Sequence, residues 1–187
     1  MSAPTRVVST VGPVLIIGSG LLGASLGLAL RAGGVRVYLE DASPTSLRLA
    51  SDVGAGVAFG DAIDEAGVAY ADAGTDAPGY EAPRIVVVAT PPDVADRVIV
   101  DSLLRFPGAI ITDVASVKDT VVADVLATLE ERGLEDAACR YVGSHPMAGR
   151  ERSGAGAADA DLFYGRPWVI VAHETTWPRA LLAARAL

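Results

Sequence analysis

The chain has 187 residues, of which 51% are hydrophobic, and a formal net charge of −8. This length allows one domain with a sizeable core and little beyond it, and the acidic balance without a long basic run argues against nucleic acid or an anionic membrane as a partner. Cys139 is the only cysteine, so no intrachain disulfide can form, and no apolar run approaches the roughly 18 residues that span a bilayer. We therefore expect a soluble, cytoplasmic protein.

The first pattern along the chain is a strand, a glycine-rich turn and a helix. The apolar run Val14–Ile17 precedes a loop with G-x-G-x-x-G spacing, formed by Gly18, Ser19, Gly20, Leu21, Leu22 and Gly23. In such a loop the first glycine makes the turn, the second lets backbone approach a pyrophosphate, and the third lets the helix lie close to the strand. The free N–H groups at the helix N-terminus then face the phosphates. We predict a dinucleotide site, with a purely structural glycine turn as the alternative.

Asp41 ends the strand that follows this helix, 23 residues after Gly18. A carboxylate at this position accepts hydrogen bonds from two ribose hydroxyls and repels a 2′-phosphate, so NAD is predicted in preference to NADP. The neighbouring Glu40 is expected to point to the opposite face of the strand and to be solvated.

Strand and helix patterns alternate along the rest of the chain. Ser43 and Pro44 predict the start of a short helix, residues 57–59 a weak strand, and residues 67–83 an irregular surface connection. Further strands are predicted at residues 84–89, 109–112, 141–142 and 168–172. Helices are predicted after the strands at 84–89 and 109–112. The alternation indicates an α/β fold with a doubly wound, mostly parallel sheet of the Rossmann type.

Four polar segments follow the carboxyl ends of different predicted strands: the glycine loop, Thr90-Pro91, Ser116 and His145. Ligands of doubly wound sheets bind at that edge. We therefore predict that these segments converge on one site, with Thr90 and Pro91 beside the cofactor.

Two histidines are candidates for a catalytic base, because imidazole exchanges protons near neutral pH. His145 is predicted to lie in a glycine-rich loop, residues 143–146, where it can approach a ligand, whereas His173 follows the last strand in an ordinary polar turn. Oxidation of an alcohol by a nicotinamide cofactor requires a base for the hydroxyl proton. We predict this role for His145 and a structural role for His173.

Three stretches carry a distinctive pattern: GSGLLG at residues 18–23, DVASVK at 113–118 and GSHPMAGRERSG at 143–154. Together they resemble the prephenate dehydrogenase family of tyrosine biosynthesis, including its arogenate-using members, over nearly the whole chain. The resemblance implies an NAD(P)-dependent oxidative decarboxylation of prephenate or arogenate. In that reaction a hydride leaves the ring carbon that bears the hydroxyl, carbon dioxide is lost, and the ring becomes aromatic.

The resemblance also implies roles for single residues. His145 matches the histidine that accepts the proton of the substrate hydroxyl, and Ser116 matches a serine that orients that hydroxyl, the histidine and the nicotinamide. A helix N-cap is the alternative for Ser116, and both roles can hold together. Glu151 matches a glutamate at the mouth of the substrate site, and Ser144 is a predicted substrate contact in the same motif. The task of Lys118 stays open between a ligand contact and a solvated position at a helix start.

Family members continue into a helical domain that forms the homodimer and completes the substrate site. We expect residues 1–12 to be a leader, residues 13–176 to form the dinucleotide-binding domain, and residues 177–187 to begin a truncated helix of the absent helical domain. NAD and a small-molecule substrate are the expected ligands, without a metal. Catalysis by this chain alone is in doubt, because half of the substrate pocket would be absent. The alternatives are a non-catalytic NAD-binding or redox-sensing module and a related β-hydroxyacid-type dehydrogenase.

Overall fold

The computed structural model describes residues 9–59, 62–63, 69–70 and 81–187. The described residues form a seven-stranded sheet with helices on both faces and a separate two-stranded ladder. In chain order the elements are β1 (Val14–Ile17), α1 (Leu21–Ala32), β2 (Val37–Glu40), α2 (Pro44–Asp52), β3 (Val57–Ala58), β4 (Ala62–Ile63), β5 (Ala69–Tyr70), β6 (Ile85–Val88), α3 (Pro92–Arg105), β7 (Ile110–Asp113), α4 (Lys118–Glu131), α5 (Glu135–Ala138), β8 (Tyr141–Pro146), β9 (Trp168–Val171) and α6 (Pro178–Ala186).

The large sheet has the strand order β3-β2-β1-β6-β7-β8-β9. The first six strands pair in parallel, and β9 pairs antiparallel with β8. Strand order reverses between β1 and β6, which is the switch point where doubly wound sheets bind ligands. The predicted α/β fold with a mostly parallel sheet is therefore confirmed.

The central strands are apolar along their whole length because both faces of the sheet are covered. In β1, Leu15 and Ile17 pack into the core layer under α3 and α4, while Val14 and Ile16 pack into the layer under α1. The side chains of β6 alternate in the same way between the two layers. This two-sided burial explains why these strands appear as continuous hydrophobic runs instead of alternating patterns.

Several predicted elements are confirmed near their predicted positions. The short helix α2 begins at Pro44, and its N-cap Ser43 accepts a hydrogen bond from the backbone N–H of Ser46 at 3.3 Å. The weak strand is present as β3, which pairs with β2. The predicted irregular connection at 67–83 and the predicted leader at 1–12 lie largely outside the described residues. The described part of that connection includes β5, which pairs with β4.

The prediction for β8 was wrong at its carboxyl end. The strand continues to Pro146 instead of stopping at Val142, because β9 pairs antiparallel with residues 143–146. His145 consequently lies within a strand, opposite Val169, and not in a glycine-rich loop. No helix in the part of the chain that the structure describes is long and apolar enough to cross a bilayer.

Candidate active site

The three loop glycines have different steric reasons to be glycine. Gly18 has a φ of +103°, and a Cβ there would stand 2.5 Å from the carbonyl oxygen of Ala89 on the neighbouring strand connection. A Cβ on Gly23 would collide with the carbonyl oxygen of Gly18, so only glycine lets α1 lie this close to the loop. A Cβ on Gly20 would meet no heavy atom of the described residues within 4 Å. Gly20 therefore faces open space, where a ligand could approach the backbone.

Asp41 ties the glycine loop to the end of β2. Its Oδ2 accepts a hydrogen bond from the backbone N–H of Ser19 at 2.6 Å, and its Oδ1 accepts one from the N–H of Ser43 at 2.8 Å. Among the residues that the structure describes, no side chain caps the N-terminus of α1. The helix N-terminus thus retains backbone donors for an anion, while the carboxylate keeps further lone pairs for hydroxyl donors.

A cavity of about 1030 Å³ opens at the switch point, between the ends of β1, β2 and β6, the first turn of α1, and one side of α3 from Val94 to Arg105. Of the predicted cofactor residues, its walls include Gly18, Gly20, Leu21, Leu22, Asp41, Thr90 and Pro91. The Oγ1 atom of Thr90 is buried without a hydrogen-bond partner among the described residues. Unpaired buried hydroxyls are rare in folded proteins, and this one lies where a bound ligand would supply the partner.

Glu40 points to the opposite face of β2 from Asp41, as predicted, because Tyr38 of this strand packs into the layer under α3 and Leu39 into the layer under α1. Glu40 is only partly exposed, and it borders the same cavity as Asp41. Its two carboxylate oxygens each lie 2.8 Å from Nη1 of Arg105, at the end of α3. The cavity wall beside Asp41 therefore contains an ion pair that joins residues distant in sequence.

The second group of predicted residues lies where β7 and β8 end. Asp113, the last residue of β7, pairs with Gly143, so His145 lies in the part of β8 that extends past its neighbour. The ring of His145 is partly exposed, and its Nδ1 is buried without a hydrogen-bond partner in the described part of the chain. Ser116 is exposed three residues after β7. Neither Ser116 nor His145 is among the residues that line the cavity, but both lie at the sheet edge where it opens.

The alternative N-cap role of Ser116 is not realised. Helix α4 begins at Lys118, its N-cap residue is Val117, and no side chain in the described part of the chain makes a capping hydrogen bond there. The hydroxyl of Ser116 is therefore not committed to the helix end.

The buried cluster around Asp113 was not predicted from the sequence. The carboxylate of Asp113 is fully buried, forms an ion pair with Lys118, and accepts hydrogen bonds from the hydroxyl of Tyr141 and the backbone N–H of Ala115. Burial lowers the pKa of Lys118 to about 7 and raises the pKa of Tyr141 above its usual range. The solvated position considered for Lys118 was therefore wrong. An acid that ends an apolar strand was the available sequence signal for this cluster.

Ser144 and Glu151 have contrasting environments. Ser144 is fully buried, and its hydroxyl donates to the carbonyl oxygen of Asp113 at 2.7 Å and accepts a hydrogen bond from the Thr112 hydroxyl at 3.3 Å. These bonds join β7 to β8, which argues against the substrate contact predicted for the Ser144 side chain. Glu151 is exposed in the connection between β8 and β9, next to Arg150, which forms an ion pair with Asp159.

His173 has the structural environment that its position suggested. Its Nε2 lies 3.2 Å from the carbonyl oxygen of Tyr141, and its Nδ1 lies 3.1 Å from the hydroxyl of Thr175. Its ring also stacks near the Tyr141 ring, with centroids 6.2 Å apart. Both ring nitrogens are thus engaged within the protein.

A doubly wound sheet with an uncapped, glycine-lined helix N-terminus at its switch point defines a nucleotide-binding domain of the Rossmann type. The family described as prephenate dehydrogenase, nucleotide-binding domain, matches residues 26–187. The chain belongs to this family.

Individual relatives agree with the family match. Over 173 residues the chain is 39% identical to the probable prephenate dehydrogenase NovF of Streptomyces niveus, covering 92% of this chain and 41% of that protein. It is 28% identical to a prephenate dehydrogenase of Bacillus subtilis, again covering 41% of the relative. The fold resembles that of Aquifex aeolicus prephenate dehydrogenase, crystallised with hydroxyphenyl propionate and NAD+, with a TM-score of 0.70, 24% identity, and coverage of 92% of this chain and 55% of that one. The chain thus spans about two fifths of the curated relatives that it matches.

Proposed function

We propose that this chain is the nucleotide-binding part of an NAD-dependent dehydrogenase that oxidatively decarboxylates prephenate or arogenate, giving 4-hydroxyphenylpyruvate or tyrosine. Membership of the prephenate dehydrogenase family supports the reaction class. The observation that carries the proposal is the Nδ1 of His145, buried and unpartnered among the described residues, at the same sheet edge as the glycine loop. A histidine ring in ordinary packing has its buried nitrogen satisfied, as His173 does.

The residues around the switch point fit a dinucleotide. The open space at Gly20 and the uncapped start of α1 suit a pyrophosphate, and Asp41 suits the adenosine ribose. The unpartnered hydroxyl of Thr90 would donate to or accept from the bound nucleotide. The charge of Asp41 favours NAD over NADP. When bound, the nicotinamide supplies the acceptor for the hydride.

At the substrate, His145 accepts the proton of the ring hydroxyl as the carbon–hydrogen bond breaks and carbon dioxide leaves. Ser116, exposed at the end of β7, orients that hydroxyl. Glu151 lies at the entrance, and Arg152 beside it is exposed and attracts the carboxylates of the substrate. We propose residues 13–176 as the dinucleotide-binding domain. In this proposal, the homodimer and the rest of the substrate site are formed by the segment that the relatives have and that this chain does not match.

A second candidate is a non-catalytic module that binds NAD or senses its redox state. It would use the same glycine loop and Asp41 for NAD but would recognise neither acid. The likeness to 3-hydroxyisobutyrate dehydrogenase of Mycobacterium tuberculosis, at 21% identity and a TM-score of 0.58, reflects the fold alone.

Calorimetric titration separates these candidates. The natural protein is titrated with NAD and then, with NAD present, with prephenate and with arogenate. The dehydrogenase should bind at least one of the two acids. If NAD binds and neither acid does, the result favours the non-catalytic module.

Substitution of His145 tests its role in turnover. In the natural protein, His145→Ala should lower the rate of NADH formation by about 10² to 10⁴, while the Kd for NAD stays unchanged. His173→Gln is the matched control and should retain turnover. Equal rates for His145→Ala and the wild type would remove His145 from the mechanism.

A further inference from the structure

Glu40 and Arg105 form one wall of the cavity beside Asp41. All three residues line the cavity, and Nη1 of Arg105 lies 2.8 Å from each carboxylate oxygen of Glu40. The Arg105 side chain is 48% exposed and that of Glu40 is 34% exposed. The ion pair is therefore accessible to a molecule that enters the cavity next to Asp41.

Two aromatic rings hold the Arg105 guanidinium in position. It lies 5.0 Å from the centroid of the Phe59 ring and 4.9 Å from that of Phe106, within the range of cation–π attraction. The two rings pack edge to face with centroids 5.7 Å apart. Arg105 also occupies the last turn of α3, where the helix dipole favours a cation. We therefore expect the guanidinium to remain at the cavity wall when Glu40 is neutralised.

The charges that line the cavity do not balance. They comprise three carboxylates, of Glu40, Asp41 and Asp101, and the guanidinium of Arg105, so the lining is negative overall. Guanidinium groups bind phosphate strongly through paired hydrogen bonds, and Arg105 by itself would attract a phosphorylated ribose. Glu40 pairs with the guanidinium of Arg105, and this pairing competes with phosphate binding.

We propose that Glu40 is a second determinant of nucleotide choice, which acts by neutralising Arg105, and that Arg105 binds a 2′-phosphate once Glu40 loses its charge. The inference rests on the proposed function, because it takes this end of the cavity to hold the adenosine ribose. Asp41 disfavours NADP by direct repulsion of the 2′-phosphate, whereas Glu40 disfavours NADP by neutralising Arg105.

Titrations of NAD and NADP into the wild type and Glu40→Gln test the proposal. Glu40→Gln should lower the Kd for NADP by about threefold to tenfold, a modest gain because the pair is partly exposed, with a smaller change for NAD. The same comparison with 2′,5′-ADP and 5′-AMP restricts the test to the adenosine end. The gain should shrink at high ionic strength, since screening weakens exposed charge interactions.

Two further variants show whether Arg105 is the cause. In Glu40→Gln/Arg105→Met the gain in NADP affinity should disappear. Glu130→Gln removes the same charge from an exposed position on α4, and it should leave the ratio of the two dissociation constants unchanged. Thermal unfolding midpoints confirm that all variants fold.

The failing outcomes are distinct. An unchanged NADP-to-NAD ratio in Glu40→Gln, or a gain that persists in the double variant, would overturn the role of the Glu40–Arg105 pair and leave the proposed function intact. Wild-type protein that binds neither nucleotide would overturn both.

Discussion

The hydroxyl of Tyr141 donates a 2.8 Å hydrogen bond to Oδ2 of Asp113, across the boundary between β8 and β7. Both residues are fully buried, and burial raises the pKa of Tyr141 above its usual range, so the phenol remains a donor while the protein is folded. Lys118 pairs with the other carboxylate oxygen. The contact couples the strand that carries His145 to the strand that leads to Ser116.

Tyr141→Phe should lower the free energy of unfolding by about 1–3 kcal/mol, because it removes one partner of a buried carboxylate and leaves the ring in place. Urea unfolding followed by circular dichroism measures the change. Tyr164→Phe is the matched control, since Tyr164 is 79% exposed, and its effect should stay within about 0.5 kcal/mol. Equal losses in the two variants would show that the bond to Asp113 contributes nothing.

The ionisation of Lys118 gives a second prediction. Lys118 is the only lysine in the chain, and burial lowers its pKa from 10.5 to about 7. Lysine-selective isotope labelling therefore gives one side-chain resonance, which should titrate near neutral pH. Titration near 10.5 instead would mean that the ion pair with Asp113 keeps the ammonium charged.

The same shift predicts how stability depends on pH. Between about pH 7 and pH 10.5 the unfolded chain holds a proton on Lys118 that the folded chain has released, so the free energy of unfolding rises with pH in this window. The contribution is lost as the pH falls toward 7. Urea midpoints measured across the window should show a shallower rise in Lys118→Met than in the wild type.

Much of the fold could be predicted from sequence because the relevant signals are local. The apolar runs of β1 and β6 and the glycine spacing between β1 and α1 each lie within a few residues of the structure they specify. The position of the site followed from these elements, since parallel strands place their carboxyl ends at one edge.

The features that sequence analysis missed depend on partners far away in the chain. Glu40 seemed solvated because its partner Arg105 is 65 residues away. The extension of β8 to Pro146 requires β9, which is formed much later in the chain. Lys118 is buried because an acid at the end of β7 compensates its charge, and periodicity does not reveal such a pairing.

Alanine at two loop glycines should separate folding from binding. Gly23→Ala forces a Cβ against the backbone of Gly18 and should lower the free energy of unfolding by about 1–3 kcal/mol. Gly20→Ala places its Cβ in open space, so stability should be retained while the Kd for NAD rises at least about tenfold, because the methyl group occupies the approach of the pyrophosphate.

Calorimetry with NAD and urea unfolding of the same samples measure both effects of these substitutions. Gly108→Ala, where a Cβ also meets no heavy atom within 4 Å, is the control for an alanine outside the loop. Unchanged NAD binding in Gly20→Ala would place the pyrophosphate elsewhere.

Asp41→Asn tests the charge that we propose to read the ribose. The carboxylate also has a structural role, because its two oxygens accept hydrogen bonds from the backbone N–H groups of Ser19 and Ser43. The amide nitrogen of asparagine is a donor, so it cannot accept either of these bonds. Loss of one such bond loosens the glycine loop and should weaken the binding of both nucleotides together.

The ratio of the dissociation constants for NAD and NADP removes this shared effect, since both nucleotides use the same loop. Removing the negative charge should narrow the preference for NAD by roughly tenfold, measured by titration of both nucleotides. Asp52→Asn, at the exposed end of α2, should leave the ratio unchanged, and an equally unchanged ratio in Asp41→Asn would mean that another residue reads the ribose.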